Sequence, residues 1–328
     1  MAQNKIVFKW RVEEEMQIGE EYPHFYIKIS FSEPLSLFPV DNIFAVDWGD
    51  GKTDTYRVED LEFYSWFNRA KIDHYYDTSD GEEYQVTILT AEHCSTIALL
   101  SGSPHYGASV IELDLSNAPD LTELDYNYWS VSELDVRQNT KLKHLSWYGG
   151  EITKLDLSQN NDLESLHPHE AMRLDLSKNK KLKELSCYSN VDLSQNLALE
   201  TLYFYGNPIN VSKLVNLKTL YCNKNELTKL DLSKNIALEV LSCEYNNLTE
   251  LDLTNNPNLE FLDCGDNQLT KLDVSNNIAL KYLYCSNNPL TSLKLNPKTL
   301  ENWDKENVDR LIEMGFGMID NIVKKEIR

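Results

Sequence analysis

The chain has 328 residues, 25% of them charged, and a formal net charge of −21 at pH 7. This excess of acids repels a phosphate backbone, so we predict that nucleic acid is not a partner. No segment approaches the roughly 18 consecutive apolar residues of a membrane-spanning helix, and the first residues lack the apolar stretch of a signal peptide. The composition therefore predicts a globular protein without a transmembrane segment, and the length favours about two domains.

The amino-terminal residues are predicted to form β-strands and to be a separate domain. Residues 4–12 and 25–32 alternate apolar and polar side chains, as strands do. A Gly49-Asp50-Gly51 turn between two strand-like runs predicts a hairpin. Residues 1–95 hold 19 acidic and 8 basic residues, against 33 and 23 in the rest of the chain. This change in charge supports a boundary near residue 95.

One motif of this region resembles a known domain family. The sequence DWGDG (47–51), followed by HYY (74–76) and YQVTI (84–88), is similar to PKD-type β-sandwich domains. The resemblance implies a PKD-like β-sandwich over residues 1–95, with Trp48 in its core. Four acids of its loops have the oxygen ligands that calcium prefers. We interpret them as turn residues and keep calcium binding as the alternative; they are Asp47, Asp50, Asp77 and Asp80.

A repeat occupies most of the remaining chain. From Leu113 onward the phrase LDLS recurs, mostly every 21 residues, and between its copies stands a second phrase, L-x-x-L-x-C in its clearest form. A fixed short period predicts a solenoid, in which each coil buries its apolar face against the neighbouring coils. Both phrases alternate apolar and polar residues, so we expect about ten coils with two short parallel strands in each.

The full repeat, L-x-x-L-x-C-x-x-N-x-L-T-x-L-D-L-S-x-N, is clearest from Leu217 to Leu295. It resembles the short, 21-residue class of bacterial leucine-rich repeats found in internalin-like surface proteins. The resemblance implies a leucine-rich-repeat solenoid over residues 96–300 that recognises proteins or a host surface. It also favours a secreted or cell-surface location, with the cytoplasm as the alternative.

The cysteines Cys222, Cys243, Cys264 and Cys285 recur every 21 residues at a position that the alternation turns inward. The equivalent positions of other coils hold Tyr126, Trp147, Pro168, Cys187 and Phe204. A position that accepts such different side chains is a packing position, and a free cysteine is a good small hydrophobe. In-register parallel strands oppose a disulfide between stacked cysteines. We therefore predict that all six cysteines are free thiols.

Asparagines and aspartates also recur once per coil. Because an amide both donates and accepts, we expect the asparagines to bond the backbone of the turns. They are Asn225, Asn246, Asn267 and Asn288, with Asn235, Asn256 and Asn277 on the opposite corner. The aspartates of the LDLS phrase are expected to accept hydrogen bonds from nearby backbone, Ser or Thr groups. Calcium bridging is the alternative.

The outward positions of the L-x-x-L-x-C strand differ from coil to coil and collect aromatic residues. Aromatic side chains give a large contact area and are enriched at recognition surfaces. We predict a ligand site, for a protein or a glycan, formed by Tyr148, Tyr188, Tyr203, Tyr205, Tyr221, Phe261, Tyr282 and Tyr284. Tyrosine also suits any strand, so a structural spacer without a specific ligand is the alternative.

One set of residues has the chemistry of a catalytic site. His144, His167 and His169 lie on neighbouring repeats and could hold zinc. Pro168 disturbs this strand, and we find no general base, no Gly-rich phosphate loop and no Ser-His-Asp set. We therefore predict a protein that is not an enzyme and has no metal or cofactor, with a metal-dependent enzyme at these histidines as the alternative.

The carboxy-terminal residues 301–328 contain apolar residues at helical spacing, including Val308, Leu311 and Ile312. The last coil of a solenoid exposes a hydrophobic end that must be covered. We therefore predict a capping helix over this segment. The complete chain is expected to be mainly β and monomeric.

Overall fold

The computed structural model describes most of the repeat region and parts of the amino-terminal region. The described residues are 4–12, 27–30, 43–57, 63–64, 69–70, 83–90, 96–101, 108–127, 131–149, 152–168, 172–188, 191–206 and 210–297. The elements that they form are β-strands, as the mainly β prediction requires. This part of the chain contains no helix with the length and apolar character of a membrane span.

The chain divides into two compact units, residues 1–182 and 183–328. The strands of the first unit are β1 (Asn4–Val12), β2 (Ile27–Ser30), β3 (Ile43–Asp47), β4 (Thr53–Arg57), β5 (Phe63–Tyr64), β6 (Arg69–Ala70), β7 (Glu83–Thr90), β8 (Thr96–Ser101), β9 (Ala108–Asn117), β10 (Glu123–Asn127), β11 (His144–Tyr148) and β12 (Ser165–Pro168). Those of the second unit are β13 (Glu184–Cys187), β14 (Thr201–Phe204), β15 (Thr219–Tyr221), β16 (Val240–Ser242), β17 (Phe261–Asp263), β18 (Lys271–Val274), β19 (Tyr282–Tyr284) and β20 (Ser292–Leu295).

An antiparallel sheet with the strand order β4-β3-β7-β1-β9 opens the first unit. The predicted hairpin is confirmed: β3 and β4 pair with Asp47 opposite Thr53, and the Trp48 amide donates to the Lys52 carbonyl at 3.0 Å. Gly49 has a φ of +80°, and a Cβ there would lie 2.4 Å from the Gln85 carbonyl oxygen. The turn therefore requires glycine.

Trp48 is fully buried, as the resemblance to PKD-type domains implies. The β-sandwich over residues 1–95 stays a prediction, and so does its boundary. β1 pairs with β9, and β2 pairs with β8. Strands from both sides of residue 95 therefore share sheets. The capping helix predicted over residues 301–328 lies outside the described residues.

The predicted solenoid is confirmed by parallel strands in both units. In the first unit, β8, β10, β11 and β12 are parallel neighbours, and in the second unit β13 to β17 and β19 are. Equivalent residues of successive coils face each other, so Leu220, Leu241 and Leu262 form one row. These leucines are 0% exposed. Burial of one apolar face per coil holds the stack together, as in leucine-rich repeats.

The second strand predicted for each coil is mostly wrong. Among the described copies of the LDLS phrase, strands occur only in β9, β18 and β20, and β18 pairs with β20. The other described copies lead directly into a turn, in which the Asn235 amide donates to the Leu232 carbonyl at 3.0 Å. Because the chain turns directly after the LDLS phrase, few residues of the phrase can form the hydrogen bonds of a β-sheet.

Asparagine side chains bond the backbone at both corners, as predicted. Asn246 Nδ2 donates to the carbonyl oxygens of Cys222 and Cys243, both at 2.9 Å, and its Oδ1 accepts from the Leu227 amide at 2.9 Å. At the other corner, Asn256 Nδ2 donates to the Asn235 carbonyl at 2.9 Å. Each side chain therefore ties its coil to the preceding one.

The inward cysteines are buried free thiols, which confirms the packing interpretation for Cys187, Cys222, Cys243, Cys264 and Cys285. Burial raises the pKa of the Cys187, Cys222 and Cys285 thiols to about 12. The neutral thiol is a poor nucleophile and a poor metal ligand. Cys94 lies outside the described residues.

The LDLS aspartates accept backbone hydrogen bonds, as predicted. In each case the carboxylate Oδ1 accepts a hydrogen bond from the backbone amide of the residue two positions later. The donor–acceptor pairs are Ser116–Asp114, Arg137–Asp135, Ser158–Asp156, Ser177–Asp175, Ser194–Asp192, Ser233–Asp231, Thr254–Asp252 and Ser275–Asp273. The recurrence of aspartate therefore has a local structural cause.

Candidate recognition site on the strand face

The outward side chains of β13 to β17 and β19 form a surface that we call the strand face. In-register pairing arranges them in rows, with one residue per coil. One row is Glu184, Thr201, Thr219, Val240, Phe261 and Tyr282, and the next is Ser186, Tyr203, Tyr221, Ser242, Asp263 and Tyr284. Beside them, a third row follows the strands: Tyr188, Tyr205, Asn223, Glu244, Gly265 and Ser286.

Four tyrosines of the early coils stack in two pairs, which together we call the tyrosine cluster. The rings of Tyr203 and Tyr221 are 5.0 Å apart and almost parallel, with an interplanar angle of 4°. The rings of Tyr188 and Tyr205 are 4.7 Å apart at 17°. Neighbouring strands about 4.8 Å apart bring equal side chains into this geometry. Within the cluster, Tyr205 is 39% exposed and the other three tyrosines are partly buried.

Three aromatic residues of the late coils form a second group, the Phe261 cluster. The Phe261 ring lies 6.3 Å from that of Tyr282 and 5.6 Å from that of Tyr284, with tilted planes in both pairs. Tyr282 is 47% exposed. Centroid separations in this range are favourable for aromatic pairs. The strand face therefore has aromatic groups near both ends.

Small and acidic residues separate the two clusters. Ser242 and Gly265 carry little bulk, and beside them lie the carboxylates of Glu244 and Asp263. Burial raises the pKa of Asp263, and the nearby Glu244 and Asp266 carboxylates raise it further, against a lowering hydrogen bond from the Gly265 amide. The sequence pattern places these two acids on the face, but the predicted site consists of aromatic residues only and does not include them.

Seven of the eight predicted site residues fall into the two clusters: Tyr188, Tyr203, Tyr205, Tyr221, Phe261, Tyr282 and Tyr284. The eighth, Tyr148, belongs to β11 of the first unit, and its side chain is outside the described residues. The role of all eight in binding stays a prediction.

Two histidines of the alternative metal site, His144 and His167, are on neighbouring strands but are not paired with each other. His144 of β11 pairs with Ser165, and His167 of β12 pairs with Ser146. His169 lies outside the described residues. Within the described ranges, no group of three His, Cys, Asp or Glu side chains has the arrangement of a metal site. The zinc hypothesis at these positions stays untested.

Two of the four candidate calcium acids are described, and both act as turn residues. Asp47 Oδ1 accepts from the Gly49 amide, and Asp50 Oδ1 accepts from the Lys52 amide, each at 3.0 Å. The Lys52 ammonium also lies 3.4 Å from Asp50 Oδ2. Asp77 and Asp80 lie outside the described residues, so calcium binding by the full set stays an alternative.

No protein-family model matches the sequence, and no curated protein matches it either. Among solved structures, the chain is similar to the functional domain of InlJ from Listeria monocytogenes, which includes a cysteine ladder. The identity is 32% over 53% of this chain and 46% of that one, with a TM-score of 0.46. This chain therefore matches less than half of that domain.

The chain is also similar to two further Listeria monocytogenes structures. For the internalin InlF, the identity is 16% over 64% of this chain and 85% of that one, with a TM-score of 0.42. For InlP, the identity is 22% over 57% of this chain and 58% of that one, with a TM-score of 0.38.

Proposed function

We propose that the repeat region is a non-catalytic binding module that holds a partner protein on the strand face. The observation that carries this proposal is the pair of aromatic clusters at positions that vary from coil to coil. Tyr203 and Tyr221 stack, and so do Tyr188 and Tyr205. Rings that already restrain one another lose less conformational freedom when a partner covers them. Large, ordered aromatic surfaces of this kind supply the dominant contacts of many interfaces.

The proposal also includes the cellular location of the protein. The resemblance of the repeat motif to bacterial surface leucine-rich repeats favours a protein that is secreted or held at the cell surface. A partner there would meet the strand face from solvent, where Tyr205 and Tyr282 are 39% and 47% exposed.

The proposal is tested with a double variant and a matched control. Tyr203→Ala with Tyr221→Ala removes one stacked pair. The control, Tyr245→Asn, removes an equally large tyrosine that is 51% exposed but lies at a corner turn, where a later coil has Asn287. Proteins captured by the immobilised wild-type chain are identified, and their affinity for each variant is measured by surface plasmon resonance.

We expect the double variant to bind a specific partner at least about 10-fold more weakly, which corresponds to roughly 1.4 kcal/mol. The Tyr245→Asn control should bind it like wild type. A partner that binds all three proteins equally would rule out the tyrosine cluster as its site. Loss of capture after enzymatic removal of glycans from the partner would show that the ligand is a glycan and not a protein.

A further inference from the structure

We propose that the centre of the strand face receives an arginine-bearing segment of the partner protein, between the two aromatic clusters. This inference rests on the proposed function and adds the chemistry of the ligand. Its basis is the juxtaposition of the Glu244 and Asp263 carboxylates with two aromatic residues: Tyr284, which is next to Asp263 in its row, and Phe261, which is on the same strand as Asp263.

The strand face has a one-sided charge. Its three rows contain the acids Glu184, Glu244 and Asp263, but no lysine, arginine or histidine. The other surfaces of the second unit carry many lysines. A surface with acids only repels an acidic partner and attracts a basic one.

Some acids outside the face form ion pairs with a lysine. Glu200 pairs with Lys218 at 2.7 Å, and Glu260 pairs with Lys281 at 2.7 Å, each pair joining neighbouring coils. Among the described residues, neither Glu244 nor Asp263 has a basic partner. Asp263 accepts from the Gly265 amide at 3.2 Å, and Glu244 Oε1 lies 3.5 Å from Asn223 Nδ2. The two carboxylates therefore keep lone pairs for an external donor.

Small, buried residues lie beside the two carboxylates. Ser242 is next to Asp263 in its row and Gly265 is next to Glu244 in the third row, and a Cβ added at Gly265 would lie 3.5 Å from Asp263 Oδ1. Any larger side chain at that position would lie against the carboxylate. Burial raises the pKa of Asp263, and Glu244 adds repulsion. A bound cation would relieve both effects.

The flanking rings favour arginine over lysine. In its row, Asp263 is next to Tyr284 on one side and to Ser242 on the other. Tyr221 follows Ser242 and is therefore two coils from Asp263. A guanidinium group can bond a carboxylate with two parallel N–H donors and can stack on an aromatic ring. A lysine ammonium is a point charge and lacks the planar surface. The centre thus offers the two contacts that suit a guanidinium group.

The experiment uses fluorescence anisotropy with a labelled synthetic peptide that contains arginines spaced by glycine and tyrosine. Its control is the same peptide with citrulline in place of each arginine, which keeps the size and planar shape of the side chain but removes its charge. The face variant Glu244→Gln/Asp263→Asn is compared with Glu226→Gln/Glu250→Gln, which changes the net charge equally at exposed positions away from the face. Each of the three proteins is measured with each of the two peptides at low and at high salt.

We expect the face variant to bind the arginine peptide at least about 10-fold more weakly than wild type. The Glu226→Gln/Glu250→Gln control should lose less than about 3-fold, and the citrulline peptide should not distinguish the proteins. Equal losses in both variants, or no loss in either, would overturn the inference.

The captured partner separates this inference from the proposed function. If Tyr203→Ala/Tyr221→Ala loses that partner while Glu244→Gln/Asp263→Asn retains it, the strand face binds but the ligand is not basic there. If both variants retain it, the proposed function itself fails.

Discussion

The strand face and the asparagine corners of the second unit differ in what the fold requires of them. At one corner, Asn235, Asn256 and Asn277 each donate to a carbonyl 21 residues earlier in the chain. On the strand face, Tyr221, Ser242 and Asp263 follow one another in a single row. A corner residue satisfies a buried backbone group, so its identity is set by the fold. On the face no single residue type recurs for this purpose, and Tyr203 and Tyr221 stack on each other, so the identity of a face residue is free to follow a ligand.

The largest effect is expected from Asn246→Ala. This substitution removes five hydrogen bonds. Three are donated to backbone carbonyls (Cys222, Cys243 and Glu244) and two are accepted from backbone amides (Asn225 and Leu227). Each unsatisfied buried group costs roughly 1–3 kcal/mol. We therefore expect the free energy of unfolding to fall by about 3 kcal/mol or more, measured by urea denaturation. The control is Asn247→Ala, a substitution of the exposed neighbouring residue. It should change the free energy of unfolding by less than about 1 kcal/mol.

A smaller effect is expected from Cys243→Ser. The thiol is fully buried, and a hydroxyl in its place must be buried as well. Burying a hydroxyl costs roughly 1–3 kcal/mol when its bonding is poor, so we expect a loss of about 2 kcal/mol in urea denaturation. Cys243→Ala, which introduces no polar atom, should cost less.

Thiol counting checks the same packing interpretation without a substitution. After denaturation in the absence of reductant, all six cysteines of the chain should react with a thiol reagent. A count of two or fewer would mean that the cysteines are cross-linked. In the native state the buried cysteines should react slowly, because only the thiolate attacks.

The smallest effect concerns acid stability. A side-chain bond from Arg137 holds the pKa of Asp135 at about 2, and bonds from Ser275 and Lys294 hold that of Asp273 at about 2. An unfolded aspartate has a pKa of about 3.9, so between these values the unfolded state binds more protons. The stabilisation is therefore complete above about pH 5 and is lost as the pH falls towards 2.

This pH dependence is measured as the thermal midpoint at about pH 5 and about pH 2.5. Asp135→Asn with Asp273→Asn keeps an acceptor for the amides of Arg137 and Ser275 but binds no proton. The thermal midpoint of the variant should therefore fall less between about pH 5 and about pH 2.5 than that of the wild type. An equal loss in both proteins would show that these two carboxylates do not contribute.

The repeat made much of the solenoid predictable. Its period and alternation placed Leu220, Leu241 and the cysteines inside, because burial in a parallel stack depends on local pattern alone. The pairing of β1 with β9 was not predictable, because it joins residues about a hundred positions apart. The prediction of a second strand in each coil was mostly wrong. The alternation in LDLS arises because its second leucine is buried while its aspartate accepts a hydrogen bond from the backbone of the following turn.

The candidate site was predictable in part, for a similar reason. Alternation identified Tyr203 and Tyr221 as outward neighbours, and they stack. It also placed Glu244 and Asp263 on the face, but their lack of a basic partner depends on which lysines reach which acids. That information lies in three-dimensional distances, such as those of the Glu200–Lys218 pair.

The contrast between the face and the corners is tested most directly by urea denaturation of Tyr203→Ala/Tyr221→Ala beside Asn246→Ala. The stacking of an aromatic pair contributes roughly 0.5–1.5 kcal/mol beyond the area that the rings bury. We predict that the face variant loses less than half of the unfolding free energy that the corner variant loses, while it alone loses the captured partner. A face variant that unfolds as readily as Asn246→Ala would contradict this, because the tyrosines would then be part of what the fold requires.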